Sequence, residues 1–497
     1  MKEKKIVGGL DVGTTGAKIS LFDEEGSCLT TYYKEYDATH AAGKHEIDFG
    51  EVRDGVLALL ADAVKDHHVD AIGVTSFGET FAMLDENDEV LAPSMLYTDP
   101  RGEEECRMLS EAVGEEKLTM LSGVKPHPMY SISKIMWWKN HEPKLFAKCR
   151  KILLGQDFIV YTLSGKRQID YALAARTGAL DIEKLTWAEE VWEAAGIDTA
   201  LLSSPVPAGT VAGGLTDKVR KALGIDYDIA VVTCFHDQIA GMIGSGVFDD
   251  SQAMDGTGTV ECIPVIIKEK PADPKYYAGG YSLVPYVGGG YACYAFSFTG
   301  GAMLKWFRDN FADSEKALAK ERGTDVYDDL SAKMPDGPTG LLVLPHFAGA
   351  ATPYMDYDAK AAVVGMTLET TKFALYKALM EGTSYEMLLN FEELKDYAKG
   401  IKELRATGGG ARSDPWLQIK ADILGMKITA LEIGEVGAAG TAALAGVSTG
   451  IYADLHKTVA KMAHVRKTFE PNEASHAAYM QHYARYKGLY EALKAHR

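Results

Sequence analysis

A short glycine–threonine turn occurs twice in this chain, and it constrains the fold more than any other feature. The first copy follows the apolar run Ile6-Val7-Gly8-Gly9-Leu10 and reads Asp11-Val12-Gly13-Thr14-Thr15-Gly16-Ala17-Lys18. The second, Met254-Asp255-Gly256-Thr257-Gly258-Thr259, lies near mid-chain. Each sets an acid before a Gly/Thr turn between apolar stretches, so each predicts a strand–turn–strand hairpin. Such a turn offers backbone N–H groups and hydroxyls to an anion, and glycine lets the backbone come close. Two copies imply two related lobes gripping one polyphosphate, and therefore a nucleotide-driven enzyme. Neither a Walker A motif nor a dinucleotide fingerprint fits, because the first turn leads into a strand rather than a helix.

The chain has 497 residues, too long for one core, and length alone allows about three domains. Charged residues make up 25% and hydrophobic residues 46%, as in ordinary globular proteins. The net charge of −18 leaves no basic surplus to neutralise phosphates, which argues against a non-specific nucleic-acid binder. No stretch approaches the roughly 18 apolar residues that span a bilayer. The charged start, Met1 to Lys5, is followed by too short an apolar run for a secretory signal. A cytoplasmic protein is expected. Six scattered cysteines with no C-x-x-C pair agree with a reducing compartment. Cys234 reads as a small buried apolar residue.

Short β-rich runs at 6–11, 17–23 and 27–33 are followed by helical spacing of Val52, Val56, Leu59, Leu60 and Ala63, then by the strand run 71–75. Three antiparallel strands, a helix and a parallel strand make the ribonuclease H-like order. The opening repeats at 252–255, 260–267 and 291–296, with a helix through Leu304 and Phe307. The expected architecture is α/β: two ribonuclease H-like lobes of the actin, hexokinase and heat-shock-chaperone type around a cleft. The boundary falls near residue 246, giving an N-terminal lobe of 1–246 and a C-terminal lobe of 247–497. No Ser/Pro-rich linker marks it, which suits a hinge rather than a tether. The polar stretch 466–497 reads as a surface helix closing the fold.

Four further groups carry chemistry. Asp11 stands at a strand end beside a phosphate turn, where a carboxylate can hold Mg²⁺ through water, and Lys18 can offset phosphate charge. An ordinary capped hairpin explains this turn about as well. Phe235-His236-Asp237-Gln238 follows the strand run 229–233 and precedes a small-residue helix, 239–246. An acid at a strand's C-terminal end can accept a proton from a hydroxyl, and Gln238 can bond a neighbouring one. Taken alone, helix capping is the commoner use of such an Asp, and His236 reads as structural. Gly408-Gly409-Gly410-Ala411, with Asp414 just beyond, enters a helix and permits close approach of a flat ligand; a tight β–α turn is the plain alternative. Gly78-Glu79 and Tyr97-Thr98-Asp99-Pro100-Arg101 end apolar runs and suit a polyhydroxy ligand, or simply surface turns with Arg101 in a salt bridge.

Taken together, these elements resemble the FGGY carbohydrate kinases, which include glycerol kinase, xylulokinase, gluconokinase and fuculokinase. The likeness runs from Ile6 to about Tyr452 and includes residues 128–137, Asp237-Gln238, Gly256–Thr259, Phe298-Thr299-Gly300-Gly301 and Gly408–Ala411. It implies lobes closing on ATP and a sugar, with Mg²⁺. It makes Asp237 the catalytic base and Asp11 the metal-associated acid. Gly13, Thr14, Thr15, Lys18, Gly256, Thr257, Gly301, Gly409, Gly410, Ala411 and Asp414 fall on the ATP side. Gly78, Glu79, Asp99, Met129 and Gln238 fall on the sugar side. Glycerol kinases carry Arg where Gly78 stands, and xylulokinases usually carry Met-His where this chain has Gly78-Glu79. The resemblance leans to a five-carbon ketose, xylulose first. Glycerol, another polyol or a sugar acid is the alternative within the family. An acyl-phosphate-forming enzyme would need an Arg-rich carboxylate site. A catalytically silent sugar sensor would have discarded Asp237 or the phosphate turns. Oligomeric state is not written in these residues, and a homodimer stands as a general prior.

Overall fold

Two sheets carry the molecule, and the glycine–threonine turns lie at corresponding places in them. In a computed structural model, residues 4–41, 43–432 and 434–495 are described. Met1 to Glu3 of the charged start, and the last two residues of the stretch 466–497, lie outside them. The first sheet runs, in spatial order, Thr210–Gly214, Ala230–His236, Ala71–Ser76, Ile6–Val12, Gly16–Asp23, Cys28–Glu35. The second runs Leu283–Pro285, Tyr291–Ser297, Glu261–Ile267, Gln252–Thr257, Glu403–Thr407, Lys427–Leu431, Val465–Phe469. In each, three neighbouring strands pair antiparallel, with the short strand Leu283–Pro285 added at the edge of the second sheet, and two later strands join parallel on the other side of the first. An antiparallel strand borders each parallel pair, Thr210–Gly214 in one sheet and Val465–Phe469 in the other. This is the ribonuclease H-like plan twice over.

The plan dictates where the chemistry stands. Ile6–Val12 is almost wholly buried, because helices cover the sheet, so its residues are apolar until Asp11 at the strand end. Parallel register sets Asp11 beside Thr75 and Val12 beside Ser76, and His236 pairs with Ser76 beyond a bulge. Asp11, Phe77 and Asp237 therefore leave one edge of one sheet, the C-terminal edge where open α/β sheets bind ligands. In the second sheet the same register sets Gly256 beside Thr407.

Helices Asp237–Gly244 and Val436–Ser448 join the halves. They cross at van der Waals distance because their contact faces are glycine. A Cβ on Gly244 would stand 1.8 Å from the Val436 carbonyl oxygen, and one on Gly440 would stand 2.3 Å from that of Ala240. Helix Val436–Ser448 follows a strand of the second sheet yet packs on the first. Gly9 faces the Ala438 carbonyl, the Cys234 thiol donates to the Thr441 carbonyl oxygen at 3.6 Å, and Tyr452 Oη donates to Asp23 O at 2.7 Å. Cys234 is thus a packing residue, as expected.

The stretch 466–497 is not one surface helix. It opens as the edge strand Val465–Phe469, in which only Phe469 is buried, and continues as helices Glu473–Tyr486 and Leu489–Lys494. Charged side chains are how an edge strand avoids pairing with other chains, and they conceal its strand character from a pattern reading. Tyr479, Tyr483, Tyr486 and Tyr490 are buried against the second lobe. No helix among the described residues is long and apolar enough to cross a membrane.

Candidate active site

Two adjoining cavities open between the sheets, and Asp237 faces both. One, of about 390 Å³, is lined by Gly78, Glu79, Met129, Tyr130, Arg176 and His236 from the first half and by Ser282, Tyr294, Met355 and Tyr357 from the second. The other, of about 590 Å³, is lined by Asp11, Gly13, Thr14, Thr15 and Lys18, and across it by Gly256, Gly258, Gly408, Glu435 and Gly437. Phe77, Tyr97, Asp237, Gln238, Val260 and Cys262 belong to both. Both volumes suit a small organic ligand.

Asp237 is the first residue of its helix. Its side chain is 34% exposed, and its Oδ1 has no hydrogen-bond partner, although His236 Nε2 lies 3.1 Å away. Burial, with the charges of Asp11 and Glu79, pushes its carboxyl up to about 7. Burial and the Arg176 charge hold the His236 imidazole well below its usual range, so it is neutral. His236 Nδ1 meets Tyr294 Oη at 3.1 Å, which ties this strand end to the opposite sheet.

Glu79 sits in the left-handed region, φ 64°, on a tight turn closed by Thr80 N–H to Gly78 O at 2.8 Å. Such a conformation in a non-glycine residue costs of order 1 kcal/mol or more. Arg176 takes its carboxylate, donating from Nε at 2.6 Å. The guanidinium also reaches Ser282 Oγ at 3.3 Å and lies over the rings of Tyr130 and Tyr294. Glu79 therefore presents to the cavity as half of a buried ion pair. Gly78 makes room for this, since a Cβ there would stand 3.3 Å from Arg176 Cγ.

Asp99 does not line either cavity. Its fully buried carboxylate receives Arg101 Nε at 2.8 Å, Arg101 Nη2 at 2.7 Å and the His45 N–H at 2.8 Å. Burial raises its pKa, but Arg101 and the backbone donors outweigh this and hold it below the usual carboxylate range. Asp99 organises the turn that carries Tyr97 to the junction of the cavities. Arg101 is in a salt bridge, the plain alternative.

In the first turn, Gly13 N–H bonds Gly16 O at 2.9 Å and Tyr36 Oη donates to Gly13 O at 2.5 Å. Lys18 pairs with Glu435 across the cavity. Burial raises the Asp11 carboxyl and Glu435 adds to this, while Lys18 opposes it. In the second turn Gly256 lines the cavity, but Thr257 lies behind it: its hydroxyl donates to Asp255 Oδ1 at 2.7 Å. Gly301 donates its N–H to Gly258 O at 2.7 Å and lines a neighbouring hollow with Thr259, Lys305 and Trp306. Gly410 packs on Thr257, Ala411 is buried and Gly409 is exposed. Asp414 is engaged by Arg466 at 2.7 Å and Lys467 at 2.6 Å, away from both cavities.

Among the described residues, no cluster of three or more His, Cys, Asp or Glu side chains is arranged to hold a metal ion. Mg²⁺ commonly takes one or two carboxylates with phosphate oxygens and water. Asp11, half-buried at the cavity wall with its carboxyl raised by burial, fits an ion that arrives with a nucleotide.

Sequence reasoning missed Arg176, Tyr294, Glu435 and the second-lobe wall of the smaller cavity. Glu435 had a weak signal, standing between Gly434 and Gly437 at a helix start. Arg176 and Tyr294 had none.

A cleft between two ribonuclease H-like lobes, with glycine-rich turns from both and an acid at their junction, defines an ATPase-type fold adapted for a small second ligand. The chain belongs to the FGGY family of carbohydrate kinases, whose N-terminal domain model matches residues 6–244 and whose C-terminal domain model matches residues 256–449. It is thus a sugar kinase, a phosphotransferase. A gluconokinase of Bacillus subtilis (strain 168) is 29% identical over 452 residues, which cover 89% of this chain and 87% of that one. The crystal structure of a ligand-bound xylulose kinase from Lactobacillus acidophilus superposes with a TM-score of 0.90 at 26% identity, covering 99% of each chain. That of a gluconate kinase from the same organism gives 0.88 at 26% identity, covering 99% of this chain and 98% of that one.

Proposed function

We propose that this protein transfers the γ-phosphate of ATP to a hydroxyl of a pentulose such as xylulose, with Asp237 as general base. One observation carries the reading: Asp237 lies where the two cavities meet and lines both, with its side chain 34% exposed. The sugar occupies the smaller cavity and the polyphosphate the larger. Asp237 accepts the proton of the attacking hydroxyl as its oxygen approaches the γ-phosphorus. Gln238 and the Glu79–Arg176 pair orient the neighbouring hydroxyls. Backbone N–H groups of the turns at Gly13–Gly16 and Gly256–Gly258 receive charge on the phosphoryl oxygens. Asp11, at the wall of the larger cavity, would hold a Mg²⁺ ion arriving with the nucleotide, and such an ion would offset that charge. Tyr97, Val260 and Phe77 narrow the junction and exclude water that would otherwise compete as acceptor.

A second reading is favoured by Lys125, which lines the sugar cavity near the Glu79–Arg176 pair. A cationic group there suits the carboxylate of a sugar acid, and the gluconokinase likeness agrees with it.

A coupled ADP-release assay over xylulose, ribulose, gluconate, glycerol and other polyols decides between them. Turnover confined to glycerol refutes both. Asp237→Asn should lower kcat by about 10²–10⁴-fold on the usual worth of a general base, with ATP still bound. Near-normal turnover by that variant removes Asp237 from the role.

A further inference from the structure

Beneath the second glycine–threonine turn lies a buried cation that lines neither cavity of the site. Lys420, on helix Asp414–Leu424, has a side chain only 2% exposed. Its Nζ donates to Asp255 Oδ2 at 2.6 Å and to Thr257 Oγ1 at 2.8 Å, and pairs with Glu261 Oε1 at 2.9 Å. It also lies over the Trp416 ring, 4.9 Å from the centroid. The ammonium thus has a partner in each strand of the hairpin that carries the turn, and a third in the turn itself. Burial raises the Glu261 carboxyl and the Lys420 charge opposes this.

Thr257 is the piece this cluster fixes. Its hydroxyl accepts a hydrogen bond from Lys420 and donates one to Asp255, so its rotamer is determined. The glycine run Gly408–Gly410 is built against it. A Cβ on Gly408 would stand 2.6 Å from Thr257 O, and one on Gly410 would stand 2.6 Å from Thr257 Cβ. Just beyond, Gly258 accepts the Gly301 N–H and so sets the start of helix Gly301–Phe311. A buried ion pair is weak support for stability, since apolar replacements often serve as well. Such a pair does fix one arrangement among several, and here the fixed element is the meeting point of three loops.

We propose that Lys420 is a positioning residue for the nucleotide: acting through Thr257, it holds the turn Gly256–Thr259 and the run Gly408–Gly410 in the one arrangement that receives ATP. This rests on the assignment of ATP to the larger cavity. Lys420→Met should weaken Mg²⁺–ATP binding, measured by calorimetry without sugar, by about 10-fold, as misplaced binding groups do. The KM for sugar should stay within about 2-fold. Thr257→Val leaves the buried charges paired and should reproduce the loss. It decides the matter if Lys420→Met does not fold. The double variant should bind no worse than Lys420→Met, because both changes break one linkage. Wild-type ATP affinity in a folded Thr257→Val protein overturns the proposal. So do strictly additive losses, or equal losses for sugar and nucleotide, which mark a merely structural residue. A wild-type protein that binds no ATP overturns the functional reading and this proposal with it, so the two failures are distinguishable.

Discussion

Asp237 is held between opposed influences. Burial and two nearby carboxylates raise its pKa to about 7, while Arg176 and the Gln238 N–H pull it down. A base acts in its ionised form, so kcat/KM for the sugar should fall as pH drops through about 7. Glu79→Gln removes one of the charges that raise the carboxyl and should move that limb to lower pH. A profile flat between about pH 6 and 8 would show that another group takes the proton. The residues of this site that a sequence reader finds are those whose surroundings are local: an acid before a turn, an acid after a strand, a glycine run. Arg176 and Glu79 stand 97 positions apart, and Lys420 and Thr257 stand 163 apart. No local pattern marks such pairs, because the register of two sheets creates them. Asp99 shows the converse. It stands in a polar turn suited to a sugar, yet Arg101 and His45 consume its acceptors.

At the scale of elements, the decisive contact is the crossing of helices Asp237–Gly244 and Val436–Ser448. Its N-terminal ends carry Asp237 on one helix and Glu435 with Gly437 on the other, so the crossing sets the distance across the larger cavity. Gly440→Ala puts a Cβ 2.3 Å from the Ala240 carbonyl oxygen, and backbone must move to admit it. We expect a loss of about 1–3 kcal/mol in denaturant unfolding, the usual cost of overpacking, together with reduced kcat. Gly437→Ala differs. Its Cβ would meet Asp11 Oδ2 at 3.4 Å and no backbone within 4 Å, so ATP affinity should fall while stability holds. Equal stability for the two variants would mean that the crossing is more compliant than its geometry. The small residues of 239–246 were visible in the sequence, but their partner helix was not, because it belongs to a segment some two hundred positions downstream. The edge strand Val465–Phe469 was hidden for a different reason: its sequence, Val-Arg-Lys-Thr-Phe, serves solubility at an edge rather than burial.

At the scale of the molecule, the two lobes share strand order but little sequence. Topology is what the duplication keeps, so the paired turns and three runs of strands made the fold legible while the loops between them said little. Those loops close the sugar cavity. His127, from the first lobe, and Tyr357, from the second, meet at its mouth, with Nε2 and Oη 3.2 Å apart. The tautomer follows from the other nitrogen: Nδ1 accepts the Met129 N–H at 3.1 Å, so Nε2 carries the proton and donates to Tyr357. Burial keeps this imidazole below its usual pKa, so the contact persists unchanged at neutral pH. If sugar binds in this cavity, parting of the lobes for its entry and release breaks this contact. Tyr357→Phe keeps the ring against Phe298 and removes only the acceptor. On the ordinary net worth of one hydrogen bond, KM for sugar should rise by about 2- to 10-fold. If release of the phosphorylated sugar limits turnover, as lid opening does in many enzymes, kcat should rise with it. Steady-state rates with saturating ATP measure both. A fall in kcat at unchanged KM would place Tyr357 in the chemistry instead of at the gate.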